Sequence, residues 1–264
     1  MDLKLNGKTA LVTGSTAGIG FAIAQQLLAE GATVFVNGRT QQRVAEAVAK
    51  LTVAVPGANV KSIAADFSKV DEINRLIEDI PAVDILINNV GIFEPKPFVE
   101  IPDEDWLKFY EINVLSGVRL SRYYLPLMLK NNWGRIIFIS SESAINIPVE
   151  MIHYGMTKTA QLSISRGLAE LTKGTAVTVN AVLPGPTFSE GVGEFVESMG
   201  RQQDKTKETM QKEFFQFARP TSLLQRFAST EEVANMVAFI ASPLSSATNG
   251  AAIRVDGGVV KSII

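Results

Sequence analysis

The chain has 264 residues, a formal net charge of −2, no cysteine and a single histidine, His153. Disulfides, thiolate or multi-histidine metal sites and cysteine nucleophiles are thereby excluded, and a Ser-His-Asp site would have to use His153. No block of like charge asks for nucleic acid or an anionic membrane, and no apolar run approaches the roughly 20 residues of a membrane helix.

The N-terminus, Met1 to Lys8, has no apolar core of signal-peptide length, so a soluble cytoplasmic protein is expected. Without linker, repeat or low-complexity tract, residues 1–264 read as one α/β domain.

Residues 9–12 predict a first strand, and a helical pattern through Ile23, Leu27 and Leu28 ends near Gly31. Between them lies the turn Thr13-Gly14-Ser15-Thr16-Ala17-Gly18-Ile19-Gly20. Strand, glycine-rich turn and helix aim free N–H groups and the positive helix end at a phosphate. No Gly-Lys-Ser/Thr follows, so this is not a Walker A loop. Residues 33–36 read as the second strand and 41–51 as a helix. Where an acidic residue would meet the ribose 2′-hydroxyl of NAD, the chain has Asn37-Gly38-Arg39. Arg39 could pair with a 2′-phosphate, which favours NADP(H) over NAD(H); a solvated surface arginine is the plain alternative.

A third strand, 60–66, ends in Asp66, placed to meet an adenine amino group or to cap the next helix. The run 83–87 predicts a strand covered on both faces and ends in Asn88-Asn89-Val90-Gly91, where a cofactor would lie. Residues 103–130 are helical in pattern, with Asp103 as the capping signal and Asn113 as a polar residue amid Ile112, Val114 and Leu115. A fifth strand, 134–139, delivers Ser140 and Ser141 at its C-terminal end. Strand 176–182 precedes Pro184-Gly185-Pro186-Thr187. Residues 188–221 change texture, with Phe195, Met199, Met210, Phe214, Phe215 and Phe217 among charged residues, as expected of a strandless helical lid. A helix, 230–241, and a strand, 252–255, lead to Asp256-Gly257-Gly258.

Tyr154 and Lys158 stand four residues apart on a helix expected over 154–171, one turn apart on the same face. A phenol with pKa about 10 needs lowering by about 3 units, roughly 4 kcal/mol, for acid–base work near neutrality. A lysine about 6 Å away supplies roughly 2–3 kcal/mol at an effective dielectric near 20. A second positive charge, such as an oxidised nicotinamide ring, would close the gap.

In this order, Gly14 through Gly18-Ile19-Gly20, Asp66, Asn88-Asn89-x-Gly91, Asn113, Ser141, Tyr154-x-x-x-Lys158, Pro184-Gly185 and Asp256-Gly257-Gly258 resemble the short-chain dehydrogenase/reductase family. The resemblance spans residues 5–258. It implies a Rossmann-like, doubly wound parallel sheet of seven strands with helices on both faces. It implies hydride transfer between a nicotinamide and a carbonyl or secondary alcohol. Tyr154 becomes the general acid or base, Lys158 lowers its pKa and binds the nicotinamide ribose, and Ser141 positions the substrate oxygen together with Tyr154. Asn113 holds a water in the proton relay. The implied cofactor contacts are Gly14, Ser15, Thr16, Gly18, Ile19, Gly20, Arg39, Asp66 and Phe67. Further along they are Asn89, Gly91, Tyr154, Lys158, Pro184, Gly185 and Thr187. No metal is implied.

The sequence departs from the family pattern in three places. Val90 replaces a usual alanine and tightens the cleft, and Ala17 stands where many NADP-using members carry a basic residue. Glu142 follows Ser141 and is expected to face solvent, the alternative being contact with a polar substrate. An NADPH-dependent ketone reductase is the leading expectation, 3-oxoacyl substrates being one guess. The alternative is a catalytically silent dinucleotide-binding sensor or scaffold; an epimerase is disfavoured because no C-terminal substrate domain remains. Phe93, Ile145, Ile147 and Pro148 suggest a partly apolar pocket. A homotetramer (or homodimer) is implied by the resemblance, and the apolar tail from Val259 would suit burial there.

Overall fold

The computed structural model, which describes residues 1–189, 191–192 and 206–263, joins the apolar runs of the sequence into one parallel sheet of seven strands. In spatial order these are β3 (Val60–Ala64), β2 (Thr33–Gly38), β1 (Thr9–Val12), β4 (Ile85–Asn88), β5 (Gly134–Ile139), β6 (Val177–Pro184) and β9 (Ala252–Val255). Successive strand residues point to opposite faces, and both faces here are apolar. Ala10, Val12, Ile85, Ile87, Ile137 and Ile139 feed one core layer, with α1 (Gly18–Ala29), α2 (Gln41–Ala54) and α8 (Thr230–Ala241) packed on it. Leu11, Leu86, Ile136 and Phe138 feed the other, covered by α3 (Val70–Asp79), α5 (Ser116–Lys130) and α6 (Ile152–Glu170). The doubly wound sheet of the expectation is present.

The chain runs outward from β1 to β3, then returns to place β4 on the other side of β1. That reversal opens a crevice at the C-terminal ends of β1 and β4, where ligands of such sheets bind. Among the described residues no helix is long and apolar enough to cross a membrane.

The helix expected over 103–130 is divided. α4 (Asp103–Tyr110) passes through a π-helical turn, Glu111–Leu115, before α5 begins. Asp103 is the first helical residue, not its cap, and joins Glu104 and Asp105 at the positive end of the helix. The lid region contains α7 (Lys207–Glu213), a π turn (Phe214–Ala218) and an unexpected strand, β7 (Thr187–Phe188), paired with β8 (Ala228–Ser229). Two-residue strands carry no periodicity to read. Met210, Phe215 and Phe227 form their own small core instead of packing on the main one. Residues 190 and 193–205, including Phe195 and Met199, lie outside the described residues. Of the apolar tail, Val259 and Val260 are buried against their own chain, whereas Ile263 is exposed.

Asn37 ties three strand ends together. Its side-chain oxygen accepts the Gly14 N–H (3.0 Å), and its amide donates to the carbonyls of Ile63 and Ala65 (3.3 Å each). It is buried to 1% exposure, so these groups have no water to fall back on. Asn37→Leu is therefore expected to lower unfolding stability by about 3 kcal/mol, read by urea denaturation, because it strands buried partners that each cost about 1–3 kcal/mol.

Candidate active site

The glycine-rich turn is built for close approach. Gly14 and Gly18 have φ of +61° and +59°, a region that disfavours a side chain. A Cβ on Gly20 would lie 2.4 Å from the Gly14 carbonyl oxygen and 2.5 Å from Asn89 Nδ2. The N–H groups of Gly18, Ile19 and Gly20 head α1, where a helix has no internal acceptors for them. This is a fitting cradle for the pyrophosphate of a dinucleotide. Thr16 stands at its edge, its methyl against Gly38.

Several expected contacts serve the cradle itself. Asn89 Nδ2 donates to the carbonyls of Thr13 (2.9 Å) and Gly14 (3.0 Å). Ser15 Oγ donates to Val12 O (2.7 Å) and its N–H to Asn37 O (2.8 Å), leaving neither donor for a ligand. The Phe67 ring is buried in the core layer of α3 and α5. Val90 presses on Gly14, 3.2 Å from where its Cβ would be. Pro184 ends β6, the Gly185 N–H donates to Val255 O, and Thr187 Oγ1 closes onto Gly185 O.

Asp66 is half-buried and is not the cap of α3. Its Oδ1 accepts from the N–H and hydroxyl of Ser68 (3.0 and 2.8 Å). Burial opposes ionisation, but these bonds, with Lys69 and Arg39 nearby, hold the carboxyl below its ordinary range. Arg39 is exposed at the end of β2 and makes no hydrogen bond or ion pair among the described residues.

Across the crevice, β5 and α6 bring Ser141, Tyr154 and Lys158 together. The Ser141 hydroxyl stands near the Tyr154 phenol and favours its ionised form, while it accepts the Ser143 N–H (3.1 Å). Lys158 Nζ lies 5.6 Å from the Tyr154 ring centre. It is buried to 4% exposure and donates to Ile139 O (2.9 Å) and Gln161 Oε1 (3.3 Å). Ser140 Oγ holds the Lys158 carbonyl (2.9 Å), so the end of β5 grips this residue at both ends. A Cβ on Gly91 would lie 3.4 Å from Lys158 Nζ, so the Gly91 backbone borders the ammonium. In the protein alone, burial governs both groups: it pushes the phenol up to about 12 and the ammonium down to about 8.

Asn113 sits in the π turn, buried. Its side chain accepts from Ile92 N (2.7 Å) and donates to Ile92 O (2.9 Å) and Thr157 Oγ1 (3.0 Å). Its main-chain oxygen accepts from Gln161 Nε2 (2.6 Å). The π turn is what gives Asn113 this double reach, and such turns cluster at functional sites.

Glu142 corrects the sequence reading: it does not face solvent. It is buried, and Arg219 Nε donates to its Oε1 (2.7 Å) while Arg219 Nη1 reaches Glu150 (3.2 Å). Burial pushes the Glu142 carboxyl above its usual range despite the guanidinium, and its Oε2 has no hydrogen-bond partner among the described residues. The pair fastens the segment after α7 to the turn behind Ser141. His153 lies beside the site but outside it. Its ring is buried against Phe109 (4.1 Å between centres) and Trp106 (6.0 Å), with no hydrogen-bond partner for either nitrogen among the described residues, and burial lowers its pKa. Phe93 meets the Tyr154 ring edge-on at 6.3 Å; with Ile145 and Ile147 it remains exposed.

The sequence reading missed Gln161, Thr157 and Arg219. Gln161 follows Lys158 at helical spacing i, i+3, a signal available in the sequence. Arg219 is 77 residues from Glu142, and nothing local announces that contact.

A switch-point crevice with a phosphate-ready helix end on one wall and a phenol beside a buried ammonium on the other defines a nucleotide-dependent oxidoreductase. The profile of the short chain dehydrogenase family matches residues 8–200. The chain belongs to that family and acts on CH–OH or C=O groups with a nicotinamide cofactor. It is 50% identical over 263 residues to the uncharacterized oxidoreductase YvaG of Bacillus subtilis, covering 100% of both chains. It is 35% identical over 263 residues to the 3-oxoacyl-[acyl-carrier-protein] reductase FabG of Aquifex aeolicus, covering 98% of this chain and 100% of that one. The L-sorbose reductase of Gluconobacter frateurii, solved with NADPH and L-sorbose, superposes with a TM-score of 0.93 at 29% identity over 100% of both chains.

Arg219→Leu should cost about 3–5 kcal/mol by leaving Glu142 buried without its partner. Urea denaturation should recover most of that loss when Glu142→Leu is added. Lys158 carries a pH signature. Its pKa falls from 10.5 unfolded to about 8 folded, so burying the ammonium costs about 3 kcal/mol below pH 8. Between pH 8 and 10.5 the unfolded state binds more protons at this position, and the penalty disappears as pH rises. Wild type should therefore gain about 3 kcal/mol relative to Lys158→Met across that window, measured by denaturant titration.

Proposed function

We propose that the chain is an NADPH-dependent ketone reductase in which Tyr154 donates the proton and Ser141 and Tyr154 hold the carbonyl oxygen. The observation that carries this reading is the Tyr154 phenol near Ser141, with Lys158 Nζ 5.6 Å from its ring centre and burial holding the phenol up to about 12. Two hydroxyls that line one crevice can share a third oxygen. A phenol that keeps its proton at neutral pH is ready to protonate a developing alkoxide and poorly prepared to act as a base. Reduction is thus the direction the protein alone prepares. Lys158, largely protonated at pH 7, stabilises the phenolate left behind; at about 6 Å that is worth roughly 2–3 kcal/mol. When bound, the reduced nicotinamide supplies the hydride to the carbonyl carbon. Asn113 ties the π turn and the Ile92 main chain to α6, which keeps the Gly91 side of the crevice in place.

The preference for NADPH rests on Arg39, exposed and without an ion-pair partner among the described residues, where a 2′-phosphate would come. The NADPH bound to the sorbose reductase and the similarity to a 3-oxoacyl reductase support reduction of a ketone. Exposed Phe93, Ile145 and Ile147 favour a partly apolar substrate around the carbonyl. The reading includes a homotetramer, favoured by exposed Leu107, Tyr110 and Tyr123 on α4 and α5, with sedimentation at micromolar concentration as its check.

Titration of reduced-nicotinamide fluorescence should give tighter binding of NADPH than NADH. Arg39→Ala should weaken NADPH about tenfold, or 1.4 kcal/mol, and leave NADH unchanged. Tighter NADH binding in wild type would overturn the preference. On a panel of 3-oxoacyl thioesters, diketones and ketoses, Tyr154→Phe should lose about 10²–10⁴-fold in kcat. Equal rates in both proteins would sink the role of Tyr154.

A further inference from the structure

Gln161 is a buried amide, 2% exposed, one helical turn beyond Lys158. It bridges two groups of the site. Its Oε1 accepts from Lys158 Nζ (3.3 Å), and its Nε2 donates to the main-chain oxygen of Asn113 (2.6 Å). Chemistry fixes the orientation of the amide, since an ammonium only donates and a carbonyl only accepts. The remaining groups of Asn113 are taken as well, by Ile92 and Thr157. A relay water is the role that resemblance assigns at Asn113; here a side-chain amide takes one of the two acceptor positions of its carbonyl.

We propose that Gln161 is a positioning residue: it clamps the Lys158 ammonium to the π turn and takes the place of a relay water between Lys158 and the Asn113 carbonyl. A carboxamide accepts one hydrogen bond and gives another without passing a proton, which a water does readily. Gln161 therefore sets where the Lys158 charge stands. Without the amide, Lys158 Nζ would keep only Ile139 O among its present acceptors.

The inference rests on the reading of Lys158 as the charge beside Tyr154 and the cofactor, and its test can be separated from that reading. Few other charges complicate it. Tyr154 is the titratable neighbour on α6. Glu142 and Arg219, behind β5 and after α7, act on Tyr154, whereas burial alone accounts for the shift of Lys158. In the π turn, Glu111 is tied to Arg119.

The measurement is the pH dependence of NADPH binding, followed by nicotinamide fluorescence, together with that of kcat/KM, in wild type, Gln161→Leu and Gln161→Glu. Leucine keeps the bulk and removes the acceptor, so the alkaline limb should move down by about one pH unit, with a fall in kcat of about tenfold and little change in KM. Glutamate gives up the bond to the Asn113 carbonyl but keeps the bulk and an acceptor, and adds a charge beside the ammonium, so the limb should move up by a similar amount. A purely structural role would not produce opposite shifts. Limbs that stay at the wild-type pH, or move in the same direction, would overturn the proposal. Gln161→Glu is isosteric and keeps the test open if Gln161→Leu does not fold. A wild-type protein with no alkaline limb, and with turnover unaffected by Tyr154→Phe, would instead count against the functional reading itself.

Discussion

An ammonium held out of water is the constraint on which the active site depends. Lys158 is buried at the centre of the crevice wall, and a buried charge is tolerated only where hydrogen-bond acceptors are already fixed in place. They come from two sources, the Ile139 carbonyl at the end of β5 and the Gln161 amide on the same helix. Each is fixed in turn: β5 by its parallel neighbours β4 and β6, Gln161 by the Asn113 carbonyl of the π turn. The sheet, the α4–α5 break and the Tyr154 helix thus converge on one side chain. The Coulombic help that Lys158 offers Tyr154 exists only because that scaffold accepts the burial cost.

The opposite wall works through the backbone. The turn after β1 carries its N–H groups toward the crevice, and side chains that might have met a ligand are used to shape the turn. Asn37, Ser15 and Asn89 bind Gly14 or its neighbours, and Gly20 allows strand, turn and helix to close on one another. One wall is therefore a set of fixed dipoles and the other a pair of titratable side chains. That division suits a ligand with phosphates at one end and a reacting carbon at the other.

The segment after α7 is joined to the turn behind Ser141 by a buried ion pair. Glu142 neighbours Ser141 in sequence and, through its charge, Tyr154 in space. Such a pair contributes little net stability against an apolar replacement, but breaking one side of it is costly. Its effect is to couple the position of Arg219 to the residue that would hold the substrate oxygen.

The sequence by itself determined the sheet, because covered parallel strands demand continuous apolar runs and glycines mark the turns between them. It also determined the Tyr154–Lys158 pair, since a spacing of four needs only a helix. Helix ends were legible to a few residues: the helix expected over 230–241 is α8, Thr230–Ala241. Contacts far apart in sequence were not legible. The buried pairing of Glu142 with Arg219 and the π turn that presents Asn113 to α6 were decided by tertiary packing. So was the engagement of Asn37 in strand ends instead of a cofactor edge. Local residue types state what a group can do. Only the folded neighbourhood decides whether water, another side chain or a ligand satisfies it.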